Sequence, residues 1–276
     1  MKPHVILIAD AGGEIGWGHA VRQLALAEAL VGKGVSTLFV TRTEEALGLD
    51  WPCPVWRVAD VARCELPNPY GTAVYDLPEP CENDGGHLER EVSFRDHGPL
   101  PGDENETDYV VSPHFGAAWY DWTVPTLLGP RWAPIRRAFA LYPIRNENRS
   151  GIFVYGDAPE VPKGLLVKRP HTMNARATAS QIAGCTIALV PPSMIALECL
   201  AVGTPVVLYV PGPKWQPIAD AMVEAGVAEI WSGAPEDYTL ACVLADDGKR
   251  RRMAEAGREA VDGGGAGRLA EWLADA

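Results

Sequence analysis

Between a short apolar run and a helical period the chain reads Asp10-Ala11-Gly12-Gly13-Glu14-Ile15-Gly16-Trp17-Gly18-His19, with Arg22 one turn further on. The glycines let backbone approach a ligand closely, and a histidine at the start of a helix has a pKa suited to moving a proton. His19 is therefore the candidate general base, with Gly16, Gly18 and Arg22 as candidate substrate-binding residues around it. The plainer alternative is a glycine-rich turn in which His19 only caps a helix.

A second constellation lies in the other half of the chain. Val190-Pro191-Pro192-Ser193 opens a helix at Met194, so that free amides and the positive end of the helix dipole at Ser193 and Met194 are candidates to receive a pyrophosphate. Glu198, one turn further in, is placed to accept both hydroxyls of a ribose. A glutamate on the outer face of an amphipathic helix is the alternative. Pro191 and Pro192 contribute no amide hydrogens to phosphate recognition.

These residues need elements to hold them. Val5 to Ala9 is a continuous apolar, β-branched run, as expected for a strand buried on both faces of a parallel sheet. From Gly18 the period becomes helical, Gly32 and Gly34 stop it, and Ser36 to Thr41 is a second strand. This is a doubly wound beginning. Residues 62–108 are dominated by proline, asparagine and acidic side chains and are expected to be irregular, or an insertion. Strands return at 109–112 and 126–128, and the polar stretch 145–151 is read as a linker. A second α/β series follows, with strands at 152–155, 164–168, 187–190 and 206–210. Helices are expected near 175–183, 194–202, 218–225, 249–261 and 268–273.

The stretch Ile15-Gly16-Trp17-Gly18-His19-Ala20-Val21-Arg22-Gln23-Leu24-Ala25-Leu26-Ala27-Glu28-Ala29-Leu30 resembles the N-terminal motif of the UDP-sugar hydrolase family of pseudaminic acid biosynthesis. That family is related to the N-acetylglucosaminyltransferase that forms lipid II. Three further stretches resemble the family in the same order: Leu127 to Phe139, Pro192 to Pro205, and Asp262-Gly263-Gly264-Gly265-Ala266-Gly267-Arg268. The resemblance implies the α/β GT-B fold, two Rossmann-like domains with an interdomain cleft. It implies His19 as catalytic base and Glu198 as ribose ligand. It also implies Gly156 and Asp157 of Phe153-Val154-Tyr155-Gly156-Asp157-Ala158-Pro159 at the cleft. The chain departs from the family where Pro191-Pro192 stand for a Gly-Gly pair and Trp215-Gln216 for Asn-Gln. Trp215 either stacks on a sugar or base or packs, and Gln216 is retained. The expected domains are 1–147, acceptor-binding and catalytic, and 148–276, nucleotide-sugar-binding.

The composition bounds the partners. Against 36 Asp and Glu stand 24 Lys and Arg, a net charge of −12, which repels nucleic acid and anionic membranes unless a basic patch is built locally. No export signal or membrane span is read at the N-terminus. Cys53, Cys64, Cys81, Cys185, Cys199 and Cys242 form no CxxC pair and are read as reduced thiols of a cytoplasmic protein. His87, His97 and His114 with Asp84 and Asp96 fit no metal-ligand spacing, and no metal or cofactor is expected beyond a UDP-sugar as co-substrate. Lys249-Arg250-Arg251-Arg252 is read as a solvated helix face, and Trp119, Tyr120 and Trp122 as packing.

The reading is a metal-independent glycosyltransferase moving a sugar from a UDP-sugar to an acceptor hydroxyl. Three alternatives are open: a UDP-sugar hydrolase with water as acceptor, a nucleotide-sugar-binding protein without catalysis, and a glycosyltransferase acting on modified DNA bases.

Overall fold

The computed structural model describes residues 4–13, 15–61, 71–77, 88–100, 103, 107–142, 149–170, 174–234 and 236–275. They form two compact units. One comprises Met1–Pro113, Ala117–Arg136 and Gly264–Ala276, the other His114–Gly116 and Arg137–Gly263. The boundary expected at 147/148 lies outside the described residues. The last helix, which the sequence reading places in the second domain, packs instead within the first unit.

The first unit is built on a seven-stranded parallel sheet in the order β3-β2-β1-β4-β5-β6-β7. The strands are β1 (Val5–Ala9), β2 (Thr37–Thr41), β3 (Val55–Arg57), β4 (Thr72–Asp76), β5 (Arg90–Phe94), β6 (Tyr109–Ser112) and β7 (Thr126–Leu128). All five residues of β1 are wholly buried. Val5, Leu7 and Ala9 join one core with α1 (Gly18–Gly32), while Ile6 and Ile8 join another on the opposite face. That two-sided burial is why the run is continuously apolar. Residues 62–108, expected to be irregular, instead supply β4 and β5, and β4 pairs directly with β1 in the middle of the sheet. Each is a five-residue strand between polar stretches, too short to show a period.

The second unit holds a five-stranded parallel sheet in the order β12-β11-β10-β8-β9. Its strands are β8 (Ile152–Val154), β9 (Val167–Lys168), β10 (Ile187–Val190), β11 (Val206–Leu208) and β12 (Ala228–Ile230). Its helices are α2 (Arg137–Ala140), α3 (Ala175–Ala183), α4 (Met194–Val202), α5 (Gln216–Glu224), α6 (Thr239–Ala245) and α7 (Asp247–Ala260). Every residue of α4 is buried, which explains its apolar sequence on all sides.

The C-terminal helix α8 (Gly265–Ala274) lies against α1, and Leu269, Ala270 and Leu273 enter the same core as Leu7, Leu26 and Leu30. The glycine signature before it has a physical cause. A Cβ on Gly265 would fall 2.1 Å from the Ala133 carbonyl oxygen, and one on Gly263, at φ 75°, 2.7 Å from the Ala140 Cβ. The Arg268 guanidinium then donates through Nε to the Arg131 carbonyl at 3.1 Å. The signature is a packing device.

Among the described residues no helix is long and apolar enough to cross a membrane, and no group of three or more His, Cys, Asp or Glu is placed to hold a metal. His87 and Asp84 lie outside the described residues.

Candidate functional site

In a doubly wound sheet, ligands bind beyond the carboxyl ends of the strands where the winding reverses. In the first unit that point lies between β1 and β4. The loop leaving β1 must turn sharply into α1, and Gly12, Gly13 and Gly16 do so with φ of 91°, 49° and 78°. Gly12 and Gly16 exchange backbone hydrogen bonds of 2.9 and 3.2 Å, closing a tight loop that delivers His19 in the first turn of α1. The last residue of β4, on the other side of the reversal, is Asp76.

The two meet. His19 Nδ1 lies 2.6 Å from Asp76 Oδ1. Because a carboxylate can only accept, the ring proton sits on Nδ1 and donates to Asp76, leaving Nε2 with a lone pair. His19 keeps 18% of its side chain exposed while Asp76 is fully buried. The Arg22 guanidinium donates to both oxygens of Asp76 and, through Nη1, to Asp96, which follows β5. Gln23 Nε2 adds a hydrogen bond of 3.0 Å to Asp76 Oδ2.

Charge and burial compete here. Burial alone lowers the His19 pKa, but the charge and hydrogen bond of Asp76, helped by Asp96, outweigh both burial and the opposing Arg22, and the pKa rises above the usual 6.5. Burial pushes the Asp76 carboxyl up, yet Arg22 and His19 hold it below its ordinary 3.8. Asp76 is therefore held as an anion against the imidazole.

Sequence reasoning missed Asp76, Gln23 and the tie to Asp96. The signal was Thr72-Ala73-Val74-Tyr75-Asp76, an apolar triplet ending in an acid, the pattern of a strand whose last residue reaches a sheet edge. Arg22, read as lining the sugar, has 1% exposure and is occupied by two carboxylates, so it positions its neighbours. Gly16 and Gly18 flank the start of α1 beside His19.

In the second unit the candidates also gather at one sheet edge. The winding reverses between β8 and β10, followed by the loops carrying Gly156 and Asp157 and Pro191 to Ser193, and the segment after neighbouring β11 brings Trp215 and Gln216. Ser193 precedes α4 without capping it through its side chain, and its own amide donates to the Pro191 carbonyl at 2.8 Å. The first helical amide, at Met194, and the helix dipole remain the anion-attracting features. Glu198 has 2% exposure on a helix buried on every side, so it is not a surface glutamate. Trp215 is half-buried with Lys214 Nζ 5.5 Å from its ring, and the exposed Gln216 donates to Asp220 at 2.7 Å. Of the basic run, Lys249 pairs with Glu229 and Arg251 with Glu255, whereas Arg250 is 15% exposed and donates to the Val243 carbonyl at 2.8 Å, so the run is only in part a solvated helix face.

Gly156 has a clear structural reason. It sits at φ 76°, and a Cβ there would fall 2.2 Å from the Tyr209 hydroxyl, which donates to the Tyr155 carbonyl at 3.0 Å. Burial and nearby Asp157 push that phenol up to about 12. Gly156→Ala is expected to lower the melting temperature through about 1–2 kcal/mol for the backbone conformation and about 1–3 kcal/mol for the clash. In a double-mutant cycle with Tyr209→Phe, only the second part should be recovered. Full additivity would show that the hydroxyl is not the obstacle.

No protein-family model matches the sequence. None of the curated proteins matches it significantly. Solved structures do. The glycotransferase of kitacinnamycin superposes with a TM-score of 0.65 at 12% identity over 99% of both chains. MurG of Acinetobacter baumannii gives 0.63 at 11% identity, covering 99% of this chain and 100% of that one. The fold is GT-B. A putative UDP-N-acetylglucosamine 2-epimerase from Listeria monocytogenes also matches, with a TM-score of 0.62 at 10% identity over 97% and 95% of the two chains. Transferases and an epimerase thus share this GT-B architecture, so the reaction must be argued from side chains. The particular kinship to the pseudaminic acid hydrolases is not among these likenesses.

Proposed function

We propose that this GT-B protein transfers a glycosyl group from a UDP-sugar to an acceptor hydroxyl, with His19 as general base. The observation that carries the reading is the His19–Asp76 pair at the reversal point of the first sheet. Nε2 takes the proton of the acceptor hydroxyl as its oxygen bonds to the anomeric carbon. The bond from that carbon to the pyrophosphate breaks, and the electron pair leaves on UDP. Asp76 stabilises the imidazolium so formed.

In the second unit the amide of Met194 and the α4 dipole face the growing negative charge, Ser193 offers its hydroxyl, and Glu198 takes the ribose. Gly156, Asp157, Trp215 and Gln216 border the same sheet edge. The reading assigns the pyrophosphate charge to these groups, without a metal.

The test is UDP release from a panel of UDP-sugars, with and without added hydroxyl acceptors. Acceptor-dependent release is expected, falling at least about a hundredfold in His19→Ala. Near-normal turnover in the variant would remove His19 as base, and equal release without any acceptor would make the protein a hydrolase. Since Nε2 works only when neutral and the His19 pKa is raised, kcat/KM is expected to fall with decreasing pH through a midpoint above 6.5. A midpoint below that value would contradict the Asp76 contact.

A further inference from the structure

Beyond β5 and β6 the first unit carries a feature that the reaction above does not use. Arg95 and Leu100, after β5, are tied to Asp103. Arg95 and Asp103, 5% and 1% exposed, form an ion pair of 2.6 Å, and Asp103 also accepts from the Leu100 amide at 2.7 Å. Next to Arg95, Asp96 keeps 16% side-chain exposure although Arg22 holds it.

Against the loop lies the aromatic segment that follows β6. Gly98, at φ 93°, is covered by the Tyr120 ring so closely that a Cβ would fall 2.7 Å from Cδ1. Tyr120 meets Trp122 edge-on at 6.0 Å, and Trp122 Nε1 donates to the Ala117 carbonyl at 2.8 Å. Two of the three aromatic residues therefore pack, as the sequence reading expects of all three. Trp119 is the exposed one of the three, at 55%. The Tyr120–Gly98 contact sets the neighbouring Trp119 beside the segment that carries Asp96.

We infer that Trp119 and Asp96 form an acceptor subsite for a sugar ring, so that the acceptor is a glycoside or another pyranose-bearing molecule. A pyranose has a face of C–H groups that suits the electron-rich indole face, and equatorial hydroxyls that donate to a carboxylate. Asp96 is already held by Arg22 and Tyr120 already packs on Gly98, so little ordering is needed on binding. The inference rests on the glycosyl-transfer reading for the word acceptor, while sugar binding itself does not.

The test needs no donor. Methyl β-glucoside and chitobiose are titrated at millimolar concentration, followed by saturation-transfer NMR and tryptophan fluorescence. One of them is expected to bind, at least about tenfold more weakly in Trp119→Ala, with affinity kept in Trp119→Phe and an unchanged melting temperature. Asp96→Asn is expected to weaken the same binding severalfold, and unaltered binding would remove Asp96 from the subsite. No binding by the native protein, or equal binding by Trp119→Ala, overturns the proposal. So does preference for 2-naphthol, a planar acceptor without hydroxyls around a saturated ring. UDP binding is measured in parallel. If UDP fails to bind while the sugar still depends on Trp119, the transfer reading falls and the sugar site stands.

Discussion

Asp76→Asn is expected to reduce kcat by about three to four orders of magnitude while leaving UDP affinity within a few-fold of the native protein. The amide keeps the shape of the carboxylate and changes what it can do. An Asn oxygen still accepts from Nδ1, but its NH2 group satisfies an imidazole nitrogen equally well. The tautomer with the proton on Nε2, where no base remains, becomes available. In serine protease triads the same change costs about 10⁴ in kcat for this reason. The acidic limb of the pH profile should also move down, because the charge that raises the His19 pKa has gone. A variant with native kcat, or an unmoved limb, would show that Asp76 does not act through His19.

The second large effect concerns stability. Arg22→Met is expected to cost about 3–5 kcal/mol, the usual consequence of removing one partner from a buried ion pair. Arg22 is 1% exposed, and without it only His19 and Gln23 would oppose the buried charge of Asp76. Protonation relieves such a charge, so the loss should shrink under acid conditions. In the native protein the sign runs the other way. Asp76 has a folded pKa below 3.8, so its stabilisation is complete above that value and is lost as pH falls through the folded pKa. Urea denaturation at several pH values measures both. A loss below about 1 kcal/mol at neutral pH would mean that water reaches Asp76 easily.

Much of this architecture can be read before any coordinates. Val5 to Ala9, the glycine turn and the period from Gly18 locate β1 and α1, because a strand buried on both faces has no choice but to be apolar throughout. Ile187 to Val190 and the run from Met194 to Val202 are as plain for the same reason. The hidden parts are those whose meaning is not local. β4 offers only Ala73, Val74 and Tyr75 between polar neighbours, and nothing in that triplet says that it will lie beside β1. The partner of His19 is likewise 57 residues away. Spacing identified the histidine, but the residue that tunes it is set by strand order, which pattern alone does not fix. Arg22 was visible as a candidate and not as what it is, since burial of a charge shows only when its partners are known. The Gly263 to Gly265 run was visible as a signature, and its cause, the close backbone at Ala133, was not.

The placement of α8 has a consequence for how the molecule comes into being. The second unit uses one nearly continuous stretch of chain, Arg137–Gly263, and can complete its sheet as soon as that stretch has been made. The first unit cannot. Its β strands and α1 are synthesised early, yet the core that they share stays incomplete until Leu269, Ala270 and Leu273 arrive. The half of the protein that holds His19 is thus begun first and closed last, and until then its apolar surface is open to chaperones and to other unfinished chains.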